Sequence, residues 1–308
     1  MFRTQLCKAA ILITVIAFCC CAFSGLSAAE GNYVENEKNF VDESMDVTHG
    51  IPENATGVLD RIRRSGVLRV ATEPYFPPQE FIDPNGIDQK QYAGADMELA
   101  RLIAKRMGVE LQIIPMEFSK VLPALTEDQA DLTISAISFT PSRATAWTMS
   151  KGYYYTDSPA NTVLIVREAE KEWFTDLEML ADKTLIAQSS SLQEALAATN
   201  IAHYKEFRRV SAIQTVYDAV AQGRADAGIV DMDTAENYIK NNPNSGLALA
   251  ENLHFDLEEQ YQGDRIAAKK GETQLIYFVN GVIDEVLADG TYMKWIEEAQ
   301  KRADELGM

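Results

Sequence analysis

Apolar residues follow two alternating spacings along most of the chain. Short apolar runs typical of buried strands occur at residues 68–71, 111–114, 131–136, 162–166, 184–187, 227–230, 247–249 and 265–268. Apolar positions with the three- and four-residue spacing of a helix face occur at residues 95–107, 192–198, 213–222, 273–288 and 292–306. Strands that alternate with helices predict an α/β fold with mostly parallel sheets.

Polar residues before several helices predict where those helices begin. Thr140 precedes Pro141, so we expect a helix that Thr140 caps and that has proline at its first position. Ser119 is the predicted N-cap of a short helix, and Ser211 is the predicted N-cap of the helix that ends at Gly223.

The first 29 residues have the pattern of a secretory signal peptide. Arg3 and Lys8 precede an apolar run over residues 9–23, and small residues follow up to Ala29. The run is 15 residues long, shorter than the ~20 that a membrane-spanning helix needs. We therefore expect residues 1–29 to be removed by cleavage after Ala29. An uncleaved membrane anchor is the alternative.

All four cysteines, Cys7, Cys19, Cys20 and Cys21, lie inside this segment. Cleavage would leave a chain that can form no disulfide bond. Lipid attachment at one of Cys19, Cys20 or Cys21 is an alternative, but Phe18 and the cysteines themselves are poor residues to precede a lipidated cysteine.

The charge balance excludes some classes of partner. The chain has 28 basic and 46 acidic residues, a net charge of −18, whereas nucleic acids and anionic lipids bind to basic surfaces. We therefore expect no nucleic-acid partner. Three histidines and four cysteines argue against a His- or Cys-rich metal site, and we expect no metal and no cofactor. Residues 30–57 are acidic and poor in large apolar groups, which predicts a flexible extension.

Seven segments in order resemble the periplasmic amino-acid-binding proteins of ABC importers, the polar amino acid (family 3) solute-binding proteins. They lie at residues 66–72, 76–81, 94–100, 118–125, 130–132, 138–143 and 225–231. Two places depart from the family pattern. Gln79 replaces an aromatic residue, and Ser190 and Ser191 stand where the family usually has glycine and threonine.

The resemblance implies a type II periplasmic-binding-protein-like fold. In this fold two α/β lobes are joined by two crossing strands, and the ligand binds in the cleft between them. The resemblance divides the chain into lobe 1 at residues 58–157, lobe 2 at residues 158–260, and a C-terminal return to lobe 1 at residues 261–308. The crossings are expected near Tyr155 and Gln260.

The resemblance also implies a set of ligand contacts. Arg143 would grip the ligand carboxylate with its two-pronged guanidinium. The backbone N–H of Ser138 would meet the ligand carboxylate, and the hydroxyl of Ser138 and the carbonyl of Ala136 would meet the ammonium. Asp231 would also hold the ammonium. Ser191 and Leu192, at a helix start, could supply backbone donors to the carboxylate. The alternative roles are a surface ion pair for Arg143 and helix caps for Asp231 and Ser191.

Three further residues are expected around the ligand's side chain. The resemblance places the rings of Phe76 and Phe118 above and below the ligand, although either ring could instead be plain core. Glu73 would face the distal end of the side chain, which favours a polar or basic amino acid over an acidic one. Alternatively, Glu73 could be solvated at the rim of the cleft.

The function implied is that of a monomeric, periplasmic, non-enzymatic binding protein. It would capture an α-amino acid and deliver it to the membrane permease of an ABC transporter. An enzyme on the same scaffold, such as a cyclohexadienyl-dehydratase-like lyase, is the alternative, with Glu73 as its candidate general acid or base. The extracellular input of a receptor is a third reading.

Overall fold

The structure, a computed structural model, describes residues 40–155, 162–256 and 262–308. It contains two five-stranded sheets with helices packed on them. One sheet belongs to lobe 1, which comprises residues 40–155 and 262–308, and the other belongs to lobe 2, residues 162–256. The two-lobed α/β fold is therefore confirmed. The predicted lobe boundaries, at residues 157/158 and 260/261, lie outside the described residues.

The strands of the described residues are short. They are β1 Val67–Thr72, β2 Tyr75–Phe76, β3 Glu80–Ile82, β4 Tyr92–Ala93, β5 Glu110–Pro115, β6 Leu132–Thr133, β7 Trp147–Met149, β8 Thr162–Arg167, β9 Thr184–Gln188, β10 Glu206–Val210, β11 Ala227–Asp231, β12 Leu247–Phe255 and β13 Ala267–Lys269.

The α-helices pack on these sheets. They are α1 Gly57–Ser65, α2 Ala95–Met107, α3 Phe118–Val121, α4 Pro123–Thr126, α5 Pro141–Ala146, α6 Leu192–Asn200, α7 Ile213–Ala221, α8 Met232–Asn241, α9 Thr273–Ala288 and α10 Thr291–Leu306. Short 3₁₀ helices lie at Asp88–Gln91, Glu168–Glu170 and Leu177–Leu180. None of the helices in the described ranges is long and apolar enough to span a membrane.

The prediction of mostly parallel sheets is wrong, because each sheet is mixed. The order in lobe 1 is β5-β1-β6-β13-β7 and in lobe 2 β10-β9-β11-β8-β12. In each sheet the first two pairings are parallel and the last two antiparallel. The antiparallel pairings involve β7, β8, β12 and β13, which are the strands next to the two crossings between the lobes. The chain crosses to lobe 2 between β7 and β8 and returns to lobe 1 between β12 and β13. These strands therefore run antiparallel to their neighbours in the sheets.

The N-cap predictions have mixed outcomes. Thr140 caps α5 as predicted, since its hydroxyl accepts a hydrogen bond from the Arg143 backbone N–H at 3.1 Å. Ser119 is wrong as a cap, because it lies within α3 and Glu117 precedes that helix. Ser211 is also wrong. Ala212 precedes α7, and the carbonyl of Ser211 accepts a hydrogen bond from the Gln188 side chain at 3.0 Å.

The prediction of a flexible extension is wrong for residues 40–57, the part of it that the structure describes. Phe40 pairs with Met149 at the edge of the lobe 1 sheet. The Asn280 side chain donates hydrogen bonds to the carbonyls of Val41 and Glu43, at 2.6 and 2.9 Å. Val47 is buried in the core of lobe 1. A few apolar residues in an acidic segment thus suffice to pack it against a lobe. Residues 30–39 lie outside the described residues.

One buried carboxylate joins distant parts of lobe 1. Asp96, in the first turn of α2, accepts hydrogen bonds from the hydroxyls of Tyr292 at 2.7 Å and Tyr153 at 2.9 Å. It also accepts one from the Ala136 backbone N–H at 2.9 Å. Tyr153 lies next to the first crossing and Tyr292 lies in α10, so Asp96 fixes both relative to the loop after β6.

Candidate functional site

A cavity between the two lobes brings together all nine residues predicted for the site. These are Glu73, Phe76, Phe118, Ala136, Ser138, Arg143, Ser191, Leu192 and Asp231. Ten further residues line the same cavity, namely Gln79, Glu80, Ser135, Tyr154, Gln188, Gln193, Asp233, Gln262, Gly263 and Asp264. The structure thus places the nine predicted residues in one cavity, whereas their contacts with a ligand remain a prediction.

Arg143 lies in the first turn of α5 and spans the two lobes. Its side chain is not on the surface, since the residue is only 7% exposed. One guanidinium nitrogen, Nη1, donates to the Ser138 carbonyl of lobe 1 at 2.7 Å, and Nη2 donates to the Ser190 carbonyl of lobe 2 at 2.9 Å. Burial lowers the pKa of Arg143 to about 10, so the guanidinium stays charged at neutral pH. It is a buried cation at the junction of the lobes, and no surface ion pair.

The loop before α6 has a backbone conformation that glycine favours, although it contains no glycine. Ser190 has φ of +65°, the left-handed conformation that favours glycine. Ser191 caps α6, because its hydroxyl accepts a hydrogen bond from the Glu194 backbone N–H at 3.0 Å. The cap reading of Ser191 is therefore correct, and its hydroxyl is already engaged. Leu192 is the first residue of α6 and is buried.

Asp231 fulfils both of its expected placements. It ends β11, and its Oδ1 caps α8 by accepting hydrogen bonds from the backbone N–H and the hydroxyl of Thr234, both at 3.0 Å. It also lines the cavity. Burial raises the pKa of Asp231 to about 6. A cation in the cavity would favour the ionised form of this carboxyl.

Glu73 follows β1 and is not solvated at a rim, since it is only 5% exposed. Its two carboxylate oxygens accept hydrogen bonds from the Gln188 Nε2 of lobe 2, at 2.8 and 2.9 Å. Burial raises the pKa of Glu73 to about 7. Like Arg143, it makes a polar contact from one lobe to the other.

The loop after β6 turns sharply at the cavity. Ala136 has φ of +45°, and its N–H is taken by Asp96, so the backbone leaves the sheet after Thr133. This is why the strand predicted over residues 131–136 forms only at Leu132–Thr133. Phe118 begins α3 near Arg143, with the guanidinium carbon 5.9 Å from the ring centre.

Several polar residues of the cavity were not predicted as site residues from the sequence, among them Gln188, Asp233 and Asp264. Gln188 is the last residue of β9, and the carboxyl ends of strands are where ligands bind in open α/β sheets. That rule could have identified it. Asp233 lies in the first turn of α8, two residues after Asp231. Asp264 lies on the second crossing, where no apolar periodicity marks the side chains that face inward.

The ionisable groups of the cavity are mostly acidic. Its lining includes one guanidinium, that of Arg143, against five carboxyl groups, those of Glu73, Glu80, Asp231, Asp233 and Asp264. Burial and the neighbouring Asp96 raise the pKa of Glu80 well above its usual range. Such a cavity attracts cationic groups and repels a second carboxylate. Within the described ranges, no group of three or more His, Cys, Asp or Glu side chains is arranged to hold a metal ion.

The family of the chain follows from a match over most of its length. A model of the bacterial extracellular solute-binding proteins, family 3, matches residues 68–299. The chain belongs to this family. The family comprises solute-binding proteins, and curated relatives of the chain are named as amino-acid-binding proteins.

Several relatives resemble the chain in sequence and structure. The L-arginine-binding protein of Pseudomonas aeruginosa is 25% identical over 226 residues, which cover 73% of this chain and 84% of that protein. The structure of an amino acid ABC transporter substrate-binding protein from Streptococcus pneumoniae, bound to L-arginine, superposes with a TM-score of 0.70. It is 31% identical, and the match covers 79% of this chain and 98% of that one.

One solved structure touches on the enzymatic alternative. It is an ancestral amino acid-binding protein described as a precursor of cyclohexadienyl dehydratase. It is 27% identical with a TM-score of 0.65, and the match covers 79% of this chain and 99% of that one.

Proposed function

We propose that this solute-binding protein captures a basic α-amino acid and delivers it to the permease of an ABC transporter. The observation that carries the proposal is the cavity between the lobes, which combines one buried guanidinium with five carboxyl groups. Arg143 supplies the positive group that an α-carboxylate needs. The excess of acids suits a ligand with an ammonium and a cationic side chain.

Each end of such a ligand has a counterpart in the cavity. The α-carboxylate would lie against Arg143 and the backbone at Ser138, and the α-ammonium would lie near Asp231. Glu73 would accept hydrogen bonds from the distal cation, beside Gln188. The arginine named for the relatives from Pseudomonas aeruginosa and Streptococcus pneumoniae fits this arrangement. The rings of Phe76 and Phe118 would pack on the aliphatic part of the side chain.

We also propose that the protein is exported and acts together with a membrane permease. Residues 1–29 would be removed as a signal peptide, so that the protein acts in the periplasm as a monomer that meets its permease there. The family to which the chain belongs is extracellular, which supports export. The predicted cleavage site and the cysteines that could carry a lipid lie outside the described residues.

A lyase on the same scaffold is the second candidate function. The pKa of Glu73, raised to about 7, suits a general acid or base at neutral pH, and one structural relative is a precursor of a dehydratase. We favour binding without chemistry, because the chain belongs to a family of solute-binding proteins and its named relatives bind amino acids. Loss of a bound carboxylate compound over hours, with release of a new product, would favour the lyase.

A thermal-shift screen of the mature protein tests the proposed function. We expect arginine, lysine or another basic amino acid to raise the melting temperature more than glutamine does, and aspartate and glutamate to have no effect. A ligand at about 100 times its dissociation constant stabilises the folded state by about 2.7 kcal/mol. The D-enantiomers serve as controls. No shift with any amino acid would contradict the proposal.

Ligand binding should favour the arrangement in which the lobes meet. Polar contacts already connect them inside the cavity, through Arg143 and Glu73, and outside it, where Lys240 of α8 lies 2.8 Å from Asp304 of α10. A ligand that contacts both lobes adds to these contacts, so the closed population should rise.

Small-angle scattering with and without the amino acid found in the screen measures this closure. We expect a smaller radius of gyration with ligand. The predicted hinge positions are Tyr155, next to the cavity, and Gln260, which lies outside the described residues. An unchanged radius at proven saturation would argue against closure.

A further inference from the structure

Asp264 presents a carboxylate to the cavity from the second crossing between the lobes. Its backbone is fixed, since its N–H donates to the Tyr154 carbonyl and its carbonyl accepts from the Tyr153 N–H, both at 2.9 Å. It is also paired with Ser138 in an antiparallel bridge. Among the described residues, its side chain has no hydrogen-bond or ion-pair partner.

The surroundings of Asp264 place it at one end of the cavity. Directly paired residues in an antiparallel bridge have their Cβ atoms about 4.5–5.5 Å apart, so the side chain starts beside Ser138. The charged groups near Asp264 are Asp96, Asp231, Arg143 and Asp233. Glu73 instead accepts hydrogen bonds from Gln188 and lies near the charge of Glu117. Asp264 therefore lies with Ser138, Arg143 and Asp231.

We infer that Asp264 binds the ligand's α-ammonium together with Asp231, so that one carboxylate from each lobe holds the same cation. The inference rests on the proposed function, in which the ligand is an α-amino acid. An ammonium has three N–H donors. Asp231 has Oδ1 engaged by Thr234, which leaves its Oδ2 for one donor, and Asp264 takes a second. The third donor is left for the hydroxyl of Ser138 or the carbonyl of Ala136.

The electrostatics of the cavity favour this placement. Asp264 is partly buried. A carboxylate withdrawn from water without a partner is unfavourable, and a cation in contact with it offsets that penalty. Arg143 forms no ion pair with Asp264 among the described residues. Its Nη1 and Nη2 donate to the carbonyls of Ser138 and Ser190, and its remaining N–H donors are available to the ligand's carboxylate. Since the two aspartates belong to different lobes, the shared ammonium would also connect the lobes.

The test compares Asp264→Asn with the wild type, using two probes that differ only in the α-amino group. The probes are L-arginine and 5-guanidinopentanoate, which lacks that group. We expect the substitution to weaken arginine binding at least about 30-fold, as loss of one member of a buried charged pair does. The affinity for 5-guanidinopentanoate should change less than about threefold, because this probe has no ammonium for Asp264 to bind.

Two other variants locate the effect. Glu73→Gln should weaken both probes alike, because both carry the guanidinium. Asp182→Asn, at an aspartate whose side chain is 82% exposed, should leave both affinities unchanged. Isothermal calorimetry gives the affinities, and thermal melts check folding. If Asp264→Asn does not fold, Asp264→Ser carries the same expectations.

Equal losses for the two probes in Asp264→Asn, or no loss for arginine, would overturn the inference while leaving the proposed function intact. A wild-type protein that binds no amino acid in the screen would instead remove the proposed function, and the role of Asp264 with it. A loss confined to arginine supports the inference, and the same loss for lysine would extend it to the α-ammonium of basic ligands in general.

Discussion

Replacing Arg143 by lysine should weaken amino-acid binding by about 30-fold or more, the usual effect of disturbing one partner of a buried charged contact. The guanidinium donates to carbonyls of both lobes, at Ser138 and Ser190, and is planar with five donors. A lysine ammonium is a single point with a different reach, so it cannot keep both carbonyl contacts and also grip a carboxylate. Isothermal calorimetry with the ligand from the screen measures the loss.

A control substitution at a second arginine side chain shows whether the loss of affinity is specific to Arg143. Arg208 lies on β10 outside the cavity, is 41% exposed at its side chain and pairs with Glu206. Arg208→Lys should bind like the wild type, since exposed ion pairs contribute little. Both variants should melt cooperatively. Unchanged affinity in Arg143→Lys would remove Arg143 from the ligand contacts.

Substitution of Glu73 by glutamine should change which amino acid binds best. In the proposed arrangement the Glu73 carboxylate faces the ligand's distal end and favours a cation there. Glutamine keeps the shape and a hydrogen-bond acceptor but loses the charge. We expect the preference for arginine over its neutral analogue citrulline to fall at least about tenfold, by analogy with buried charge pairs, while the contacts to the α-carboxylate remain.

The same substitution should reduce the pH dependence of arginine binding. The pKa of Glu73 is raised to about 7, so its carboxyl is mostly neutral at pH 6 and mostly ionised at pH 8. The affinity of the wild type for arginine should therefore rise over this interval. In Glu73→Gln the rise should be smaller, and the difference between the two proteins isolates Glu73 from Asp231, whose pKa is about 6.

Glu251→Gln is the matched control for this prediction. Glu251 lies in β12, does not line the cavity and pairs with Lys171 at 3.1 Å. Removing its charge should change neither the ranking of ligands nor the pH dependence. A Glu73→Gln protein that ranks ligands like the wild type, or a wild type that prefers acidic amino acids, would disprove a distal role for Glu73.

The residues that could be predicted from the sequence are those with a strong local pattern. The Thr140-Pro141 pair marks the start of α5 and thereby the place of Arg143. Helix α9 begins and ends where its apolar spacing predicts, at Thr273 and Ala288. The nine site residues come together because each lies beside the end of a strand or the start of a helix in the arrangement that the resemblance implied.

Other features depend on contacts that no local pattern contains. The directions of β7, β8, β12 and β13 follow from the crossings, whereas a short apolar run reads the same in either direction. Residues 40–57 pack through Phe40 and Val47, which are too few to produce a periodic signal. Asp264 and Gln188 face the cavity only because the two lobes meet there. Ser211 precedes a helix but does not cap it, and its backbone carbonyl accepts a hydrogen bond from the Gln188 side chain.

The division of lobe 1 along the chain has a consequence for folding order. Lobe 2 is continuous over residues 162–256, whereas lobe 1 needs α9, α10 and β13, which come after it in sequence. One hydrogen-bond partner of Asp96 is Tyr292, which lies 196 positions later in the chain. During synthesis or translocation from the N-terminus, lobe 2 can complete its sheet first. Lobe 1 stays incomplete until residues 262–308 have emerged, which prolongs the unfolded period of the region that carries Arg143 and Glu73.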